Sequence, residues 1–219
     1  MTKSAFGGIW QPMNIIFDFG AVLFGWQPAQ LVAASFPERA ATPVAAAQLA
    51  RAIFGHEDWH AFDRGGLALD AVVVRTAQRL VLPEGPLQEL IAGIGDGLQP
   101  IDATLCVLAA LSQRRLARGD VRLYHLSNMP APYARTLERK HSFLQWFDGG
   151  IFSGDVLCCK PDPAIYAMLQ ARHALAPTQT VFIDDLQANL DAACALGWRG
   201  IHFLSASQLQ QSLANLLDQ

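Results

Sequence analysis

The sequence has no long apolar run, few charges and little cysteine, and each shortage removes a class of function. Its longest apolar stretches, such as residues 106–111, fall far short of the ~18 residues that cross a bilayer. The first residues carry no basic region followed by an apolar one, so no signal peptide is expected. Charged residues make up 16% of the chain, with 16 Lys+Arg against 19 Asp+Glu and a formal net charge of -3, which leaves no basic field to attract nucleic acid. The four cysteines, Cys106, Cys158, Cys159 and Cys194, lack the paired spacing of a zinc site. The adjacent Cys158 and Cys159 read as reduced thiols in a strand-to-helix loop. Internal repeats and low-complexity segments are absent from the sequence. The expectation is a cytoplasmic protein with no nucleic-acid or membrane partner, either monomer or homodimer.

What is present is apolar and periodic. With 219 residues, 52% of them hydrophobic, the chain can bury one substantial core and a small second one. Residues 15–17 form a short apolar run that ends at Asp18, followed by Gly20 and the apolar 21–24. Residues 121–126 repeat the pattern, ending in Ser127-Asn128, with Pro130 and a helical stretch to Lys140 behind them. A third run, 180–183, ends in Asp184-Asp185 and leads into a helical stretch over 189–196 closed by Gly197. A strand at 200–204 and a helix at about 207–217 complete the series. Alternation of this kind predicts an α/β fold with a Rossmann-like parallel sheet covered on both faces.

Residues 26–99 interrupt the alternation with helical windows at 29–36, 43–54, 69–82 and 87–94, and no convincing strand. They read as a small inserted helical cap, with 13–25 and 100–219 forming the core. Residues 1–12 read as an unstructured leader, with Met13 as an alternative start.

In open parallel sheets, ligands bind beyond the carboxyl ends of the strands. Here those ends supply Asp18, Ser127, Asn128, Asp184 and Asp185. Three carboxylates brought together repel one another unless a cation lies between them, and an all-oxygen set suits magnesium better than zinc. Ser127, Asn128 and a lysine would then hold a phosphoryl group. Lys160 stands in Lys160-Pro161-Asp162-Pro163, just before a helix that the prolines help to start, so it is placed to reach the site. Asp162 itself reads as helix-start chemistry. His125 reads as a satisfied core or near-core residue.

Four stretches in this order resemble the haloacid dehalogenase-like hydrolases: Ile16-Phe17-Asp18-Phe19-Gly20-Ala21-Val22-Leu23, Leu126-Ser127-Asn128, Lys160-Pro161-Asp162-Pro163-Ala164-Ile165-Tyr166 and Val181-Phe182-Ile183-Asp184-Asp185. Asn189, Ala192-Ala193 and Leu196-Gly197 follow as in that family's tail. The resemblance implies a Rossmann-like core with a helical cap between the first two motifs. It also implies that Asp18 attacks phosphorus to form an aspartyl-phosphate, with Ser127 and Lys160 on the phosphoryl oxygens. Magnesium would be held by Asp18, Asp184, Asp185 and the backbone carbonyl of Gly20. The implied activity is hydrolysis of a small phosphorylated metabolite.

Most phosphatases of that family carry a second aspartate two residues after the nucleophile, as the acid for the leaving alcohol. Gly20 stands there instead. A general acid contributes ~10² to 10⁴ in rate, so its loss calls for an easily expelled leaving group, an acid from the cap, or feeble turnover. A branch resembling glucose-1-phosphatases shares the Asp-x-Gly-x-Val motif, which favours a sugar phosphate. Trp26 is expected at the pocket wall. The window from Gly55 to Gly65 supplies His56, His60 and Arg64 as candidate substrate contacts, against a competing role in packing and solvated surface. The rival readings are a metal-independent 2-haloacid dehalogenase, which would not need the Asp184-Asp185 pair, and a phosphate-binding module with little turnover.

Overall fold

The computed structural model describes residues 12–218. The expected leader falls almost wholly on residues 1–11, outside the described residues. Strands β1 (Met13–Phe17), β2 (Val121–Ser127), β3 (Gly149–Phe152), β4 (Thr180–Asp184) and β5 (Arg199–His202) form one sheet in the order β3-β2-β1-β4-β5. Every neighbouring pair is parallel. A parallel sheet hides both faces, and β4 is accordingly buried along its whole length. Successive side chains point to opposite faces, so Ile15, Phe17, Leu123 and Ile183 join one apolar cluster while Ile16, Tyr124 and Phe182 join another.

Between β1 and β2, the described residues form helices α1 (Pro28–Ser35), α2 (Pro43–Phe54), α3 (Glu57–Asp63), α4 (Leu69–Leu80), α5 (Glu84–Gly97) and α6 (Asp102–Arg118). Later come α7 (Ala131–Lys140), α8 (Pro163–His173), α9 (Gln187–Ala195) and α10 (Ala206–Leu217). Their ends follow from local chemistry. The Thr42 hydroxyl accepts from Ala45 N–H at 3.1 Å and Pro43 opens α2. Asp162 does the same for α8, accepting from Ala164 N–H at 2.9 Å, as its helix-start reading requires. Helices α6 and α10 cover the first face of the sheet through Leu108, Leu111, Leu209 and Leu213. Helices α8 and α9 cover the second through Ile165, Tyr166, Leu169, Leu190 and Ala193. The α1–α5 segment packs into the first cluster, through residues such as Val32, Leu49, Val72 and Leu87.

Three elements depart from the sequence reading. Helix α6 buries only Thr104, Leu108, Leu111 and Ser112, a thin and partly polar stripe that its apolar neighbours mask. Strand β3 is Gly-Gly-Ile-Phe, too short and too glycine-rich to signal a strand, and is held by pairing with β2. Helix α3 occupies the polar window between the expected helices at 43–54 and 69–82. Both of its buried residues, Trp59 and Phe62, are aromatic.

The sheet order places β1 centrally, with β2 on one side and β4 on the other. Phe17 is in register with both His125 and Ile183, so the residues just beyond these strands meet at one edge.

Candidate active site

Asp18 follows the last residue of β1, and its backbone N–H is held by Ile183 C=O at 2.9 Å. Its carboxylate is buried, accepting from Phe19 N–H at 2.7 Å and lying 2.9 Å from Lys160 Nζ. Lys160 is itself buried and donates to Asp184 Oδ2 at 2.7 Å, so one ammonium bridges the ends of β1 and β4. Asp184 also accepts from Leu186 N–H at 2.8 Å and from Asn189 Nδ2 at 2.9 and 3.1 Å. Oxygens of Asp18, Asp184 and Asp185 come within 4.8 Å of one another.

This group is short of positive charge. Burial pushes the Asp18 carboxyl up to about 7, Lys160 pulls it down, and Asp184 raises it again. Burial and the charge of Asp184 raise Asp185 as well. Burial opposes the charge of Lys160, yet Asp18 and Asp184 hold its pKa above the usual lysine value. Three carboxylates beside one ammonium form an all-oxygen donor set with excess negative charge, which fits a hard divalent cation such as magnesium.

The cluster forms the floor of a cavity of about 300 Å³, where Gly20, Ser127 and Asn128 also open. Apart from His60 and Asp63, the far wall is apolar. Trp26, Phe54, Trp59, Ile94 and Leu98 come from the segment after β1, and Met129 and Tyr133 from the start of α7. The aromatics touch edge to face in series: Trp26 to Phe54 at 5.3 Å, Phe54 to Trp59 at 4.7 Å, Trp59 to Phe62 at 5.5 Å and Phe62 to Tyr133 at 5.6 Å.

The structure brings together Asp18, Gly20, Trp26, His60, Ser127, Lys160 and Asp185 around this cavity, with Asp184 beneath it. Two expected substrate contacts lie elsewhere. His56 caps α3, its Nδ1 accepting from Asp58 N–H at 3.1 Å, and Arg64 forms an ion pair with Glu57. Neither lines the cavity. Asn128 does line it, but its amide is committed: Nδ2 donates to Lys160 C=O at 2.9 Å and Oδ1 accepts from Lys160 N–H at 2.8 Å. Its amide therefore clamps the backbone of the lysine instead of meeting a ligand. Asn128→Ala is expected to cost about 1–3 kcal/mol, the usual consequence of orphaning buried backbone groups, and to be read as a lowered unfolding midpoint.

Two residues given no individual role from sequence, though Asp63 stood in the 55–65 window that was the candidate source of a cap-derived acid, belong to the site. Asn189, five residues beyond Asp184, fixes that carboxylate. Asp63 lines the cavity. The signal was its spacing, since Trp59 and Asp63 stand four residues apart on one face of α3. His125, expected as a satisfied core or near-core residue, is half-buried beside the core and stacks on Phe152 with ring centroids 4.4 Å apart. Among the described residues its Nδ1 has no hydrogen-bond partner, so the satisfied part of the expectation fails, and burial lowers its pKa to about 3, so it stays neutral. All four cysteines are free thiols.

No family model matches the sequence. A sesquiterpene phosphatase of Aspergillus oryzae is 29% identical over 203 residues, covering 93% of this chain and 92% of that protein. A drimenol cyclase of Aspergillus calidoustus is 27% identical over 202 residues, and there the match spans 36% of the relative's length. Among solved structures, a predicted haloacid dehalogenase-like hydrolase of Porphyromonas gingivalis superposes with a TM-score of 0.69 at 19% identity, covering 95% of this chain and 99% of that one. This chain has the haloacid dehalogenase-like fold. A haloacid dehalogenase family enzyme of Bacteroides thetaiotaomicron, crystallised with magnesium and inorganic phosphate, shares the fold with a TM-score of 0.65 at 16% identity, covering 87% of this chain and 93% of that one. No helix among the described residues is long and apolar enough to cross a membrane.

Proposed function

We propose that the chain is a magnesium-dependent phosphate monoester hydrolase whose nucleophile is Asp18. The buried cluster of Asp18, Lys160, Asp184 and Asp185 carries this reading. Asp18 and Asp185, with the carbonyl of Gly20, would hold the ion. Asp184, whose oxygens already accept from Lys160, Leu186 and Asn189, orients the lysine. Magnesium supplies positive charge that lets an anionic carboxylate approach an anionic phosphoryl group. Lys160 and Ser127 receive the phosphoryl oxygens, and the Asp18 carboxylate displaces the alcohol to give an aspartyl-phosphate that water then cleaves. The carboxylate-rich floor disfavours the dehalogenase alternative, which has no need of a cation-binding triad. Retention of nucleophile and lysine disfavours a module with little turnover.

The cavity wall bears on the substrate. A sugar would bring several hydroxyls against Trp26, Phe54, Ile94 and Leu98, and each unpaired hydroxyl costs about 1–3 kcal/mol. An apolar chain there gains roughly 25 cal/mol for each Å² removed from water. The alcohol is therefore read as an apolar one, in keeping with the match to a sesquiterpene phosphatase, in place of the sugar expected from the first motif. Purified protein with magnesium should release phosphate from isoprenoid or long-chain alkyl monophosphates faster than from hexose phosphates. Chelation should stop release and added magnesium restore it. Release indifferent to chelator, or chloride released from 2-haloacids in its place, would count against the assignment.

A further inference from the structure

Gly20 leaves the reaction without an acid at the place where the family resemblance expects one. The gap is not filled sterically: a Cβ built on Gly20 would meet only Trp26 Cβ, at 4.0 Å. We infer that Asp63, at the end of α3, is the general acid and base of the hydrolysis, delivered to the phosphoryl site from the wall opposite Asp18. This deepens the phosphatase reading and rests on it.

Three observations carry the inference. Asp63 lines the same cavity as Asp18 and Lys160. Its carboxylate has no ion pair among the described residues, because the neighbouring Arg64 is paired with Glu57. Its position is also fixed relative to the phosphate-binding loop. Ser153 Oγ donates to the backbone C=O of Asp63 at 2.6 Å and accepts from Met129 N–H at 2.8 Å, two residues beyond Ser127. Gly65 completes the joint: its φ of +76° lies in the left-handed region, and a Cβ there would stand 2.7 Å from Gly154 C=O. The end of α3 is thus seated on the loop that follows Ser127. Burial, opposed by the Trp59 indole and by Arg64, raises the Asp63 carboxyl to about 7, so both protonation states are accessible near neutrality.

The steps balance. As Asp18 Oδ forms its bond to phosphorus, the bond from phosphorus to the ester oxygen breaks, and the proton of Asp63 passes to the departing alkoxide, giving the free alcohol. The Asp63 carboxylate then takes a proton from water whose oxygen attacks the aspartyl-phosphate. Inorganic phosphate leaves, and both carboxyl groups return to their starting states.

The test compares an alkyl monophosphate with an aryl monophosphate whose phenolate leaves unaided. In Asp63→Asn, kcat/KM for the alkyl ester should fall on the order of 10²-fold or more, and for the aryl ester less than about 10-fold. The kcat for the aryl ester should fall further than its kcat/KM, with a burst of phenol equal to the enzyme, because dephosphorylation has lost its base. Gly20→Asp added to Asp63→Asn should recover part of the alkyl activity. Equal losses on the two esters, no loss on either, or the selective loss appearing in His60→Gln in place of Asp63→Asn would overturn the assignment. Should Asp63→Asn fail to fold, the wild type decides: a shallow dependence of kcat/KM on leaving-group pKa supports the acid, and a steep one overturns it. A wild type that releases phosphate from neither ester removes the phosphatase reading, and the acid with it. A wild type active on both whose variant is unselective removes Asp63 alone.

Discussion

Asp18→Asn should eliminate phosphate release, by on the order of 10⁴- to 10⁶-fold, the scale of losing a covalent nucleophile. The amide has the shape of the carboxylate and can still accept from Phe19 N–H, now at 2.7 Å, while Lys160 keeps its bond to Asp184 at 2.7 Å. Folding should therefore survive, and in magnesium-free buffer the variant should gain stability relative to wild type as pH rises. The direction follows from linkage. Burial raises the Asp18 carboxyl in the folded state to about 7, well above its value in the unfolded chain. Between those two values the folded protein binds more protons, so wild-type stability falls as pH rises through the window and stays low above it. Asparagine has no such titration. Unfolding midpoints measured with chelator at pH 5 and pH 8 should show a smaller drop in the variant. A steeper drop would mean that Asp18 is held in the fold as a favourable anion, and the charge-deficient floor would have to be abandoned.

Much of this floor was legible in the sequence because each of its parts ends a buried strand. Apolar runs over 15–17, 121–126 and 180–183 are constrained to be parallel and central, and whatever polar residue follows each run emerges at one edge. Helix α2 was legible to the residue, since Thr42 and Pro43 fix its start. The wall was harder to read. Asp63 lies 64 positions from Ser127, and nothing in the order of residues reveals that Ser153 ties it to Met129 in the loop that follows that serine. His56 and Arg64 were candidate substrate contacts set against packing and solvated surface, and a helix end and a neighbouring glutamate claim them. Asn128 lines the cavity, but its two amide bonds go to the backbone of a residue 32 positions away, which the order of residues does not reveal. Motif position reports where a side chain begins, while the partner that saturates it is a matter of tertiary packing.

Lys160→Met should produce the second large effect, and it should appear in stability as well as in catalysis. The lysine side chain is 1% exposed and bonded to carboxylates of two strands, at 2.9 and 2.7 Å. Methionine replaces the aliphatic stem at similar length but leaves Asp18 and Asp184 with no cation. Removing one partner of a buried ion pair costs about 3–5 kcal/mol, since the remaining charge loses its compensation. For a chain of this size that is a fall of roughly 6–20 °C in unfolding midpoint. The deficit should depend on pH: burial already raises the folded-state Asp18 carboxyl to about 7, and without the ammonium that lowers it the value rises further. The penalty therefore grows as pH climbs above about 7 and is smallest in acid, where the Asp18 carboxyl is protonated with or without the lysine. Magnesium should recover part of the loss by binding only the folded form, worth about 2.7 kcal/mol at a hundredfold excess over its dissociation constant. The midpoint of the variant should thus respond to magnesium more strongly than that of the wild type, while phosphate release stays lost because the phosphoryl oxygens have no ammonium to meet. A variant as stable as wild type in chelator at pH 8 would show that the lysine does not hold the two strand ends together, and the electrostatic account of the site would fail with it.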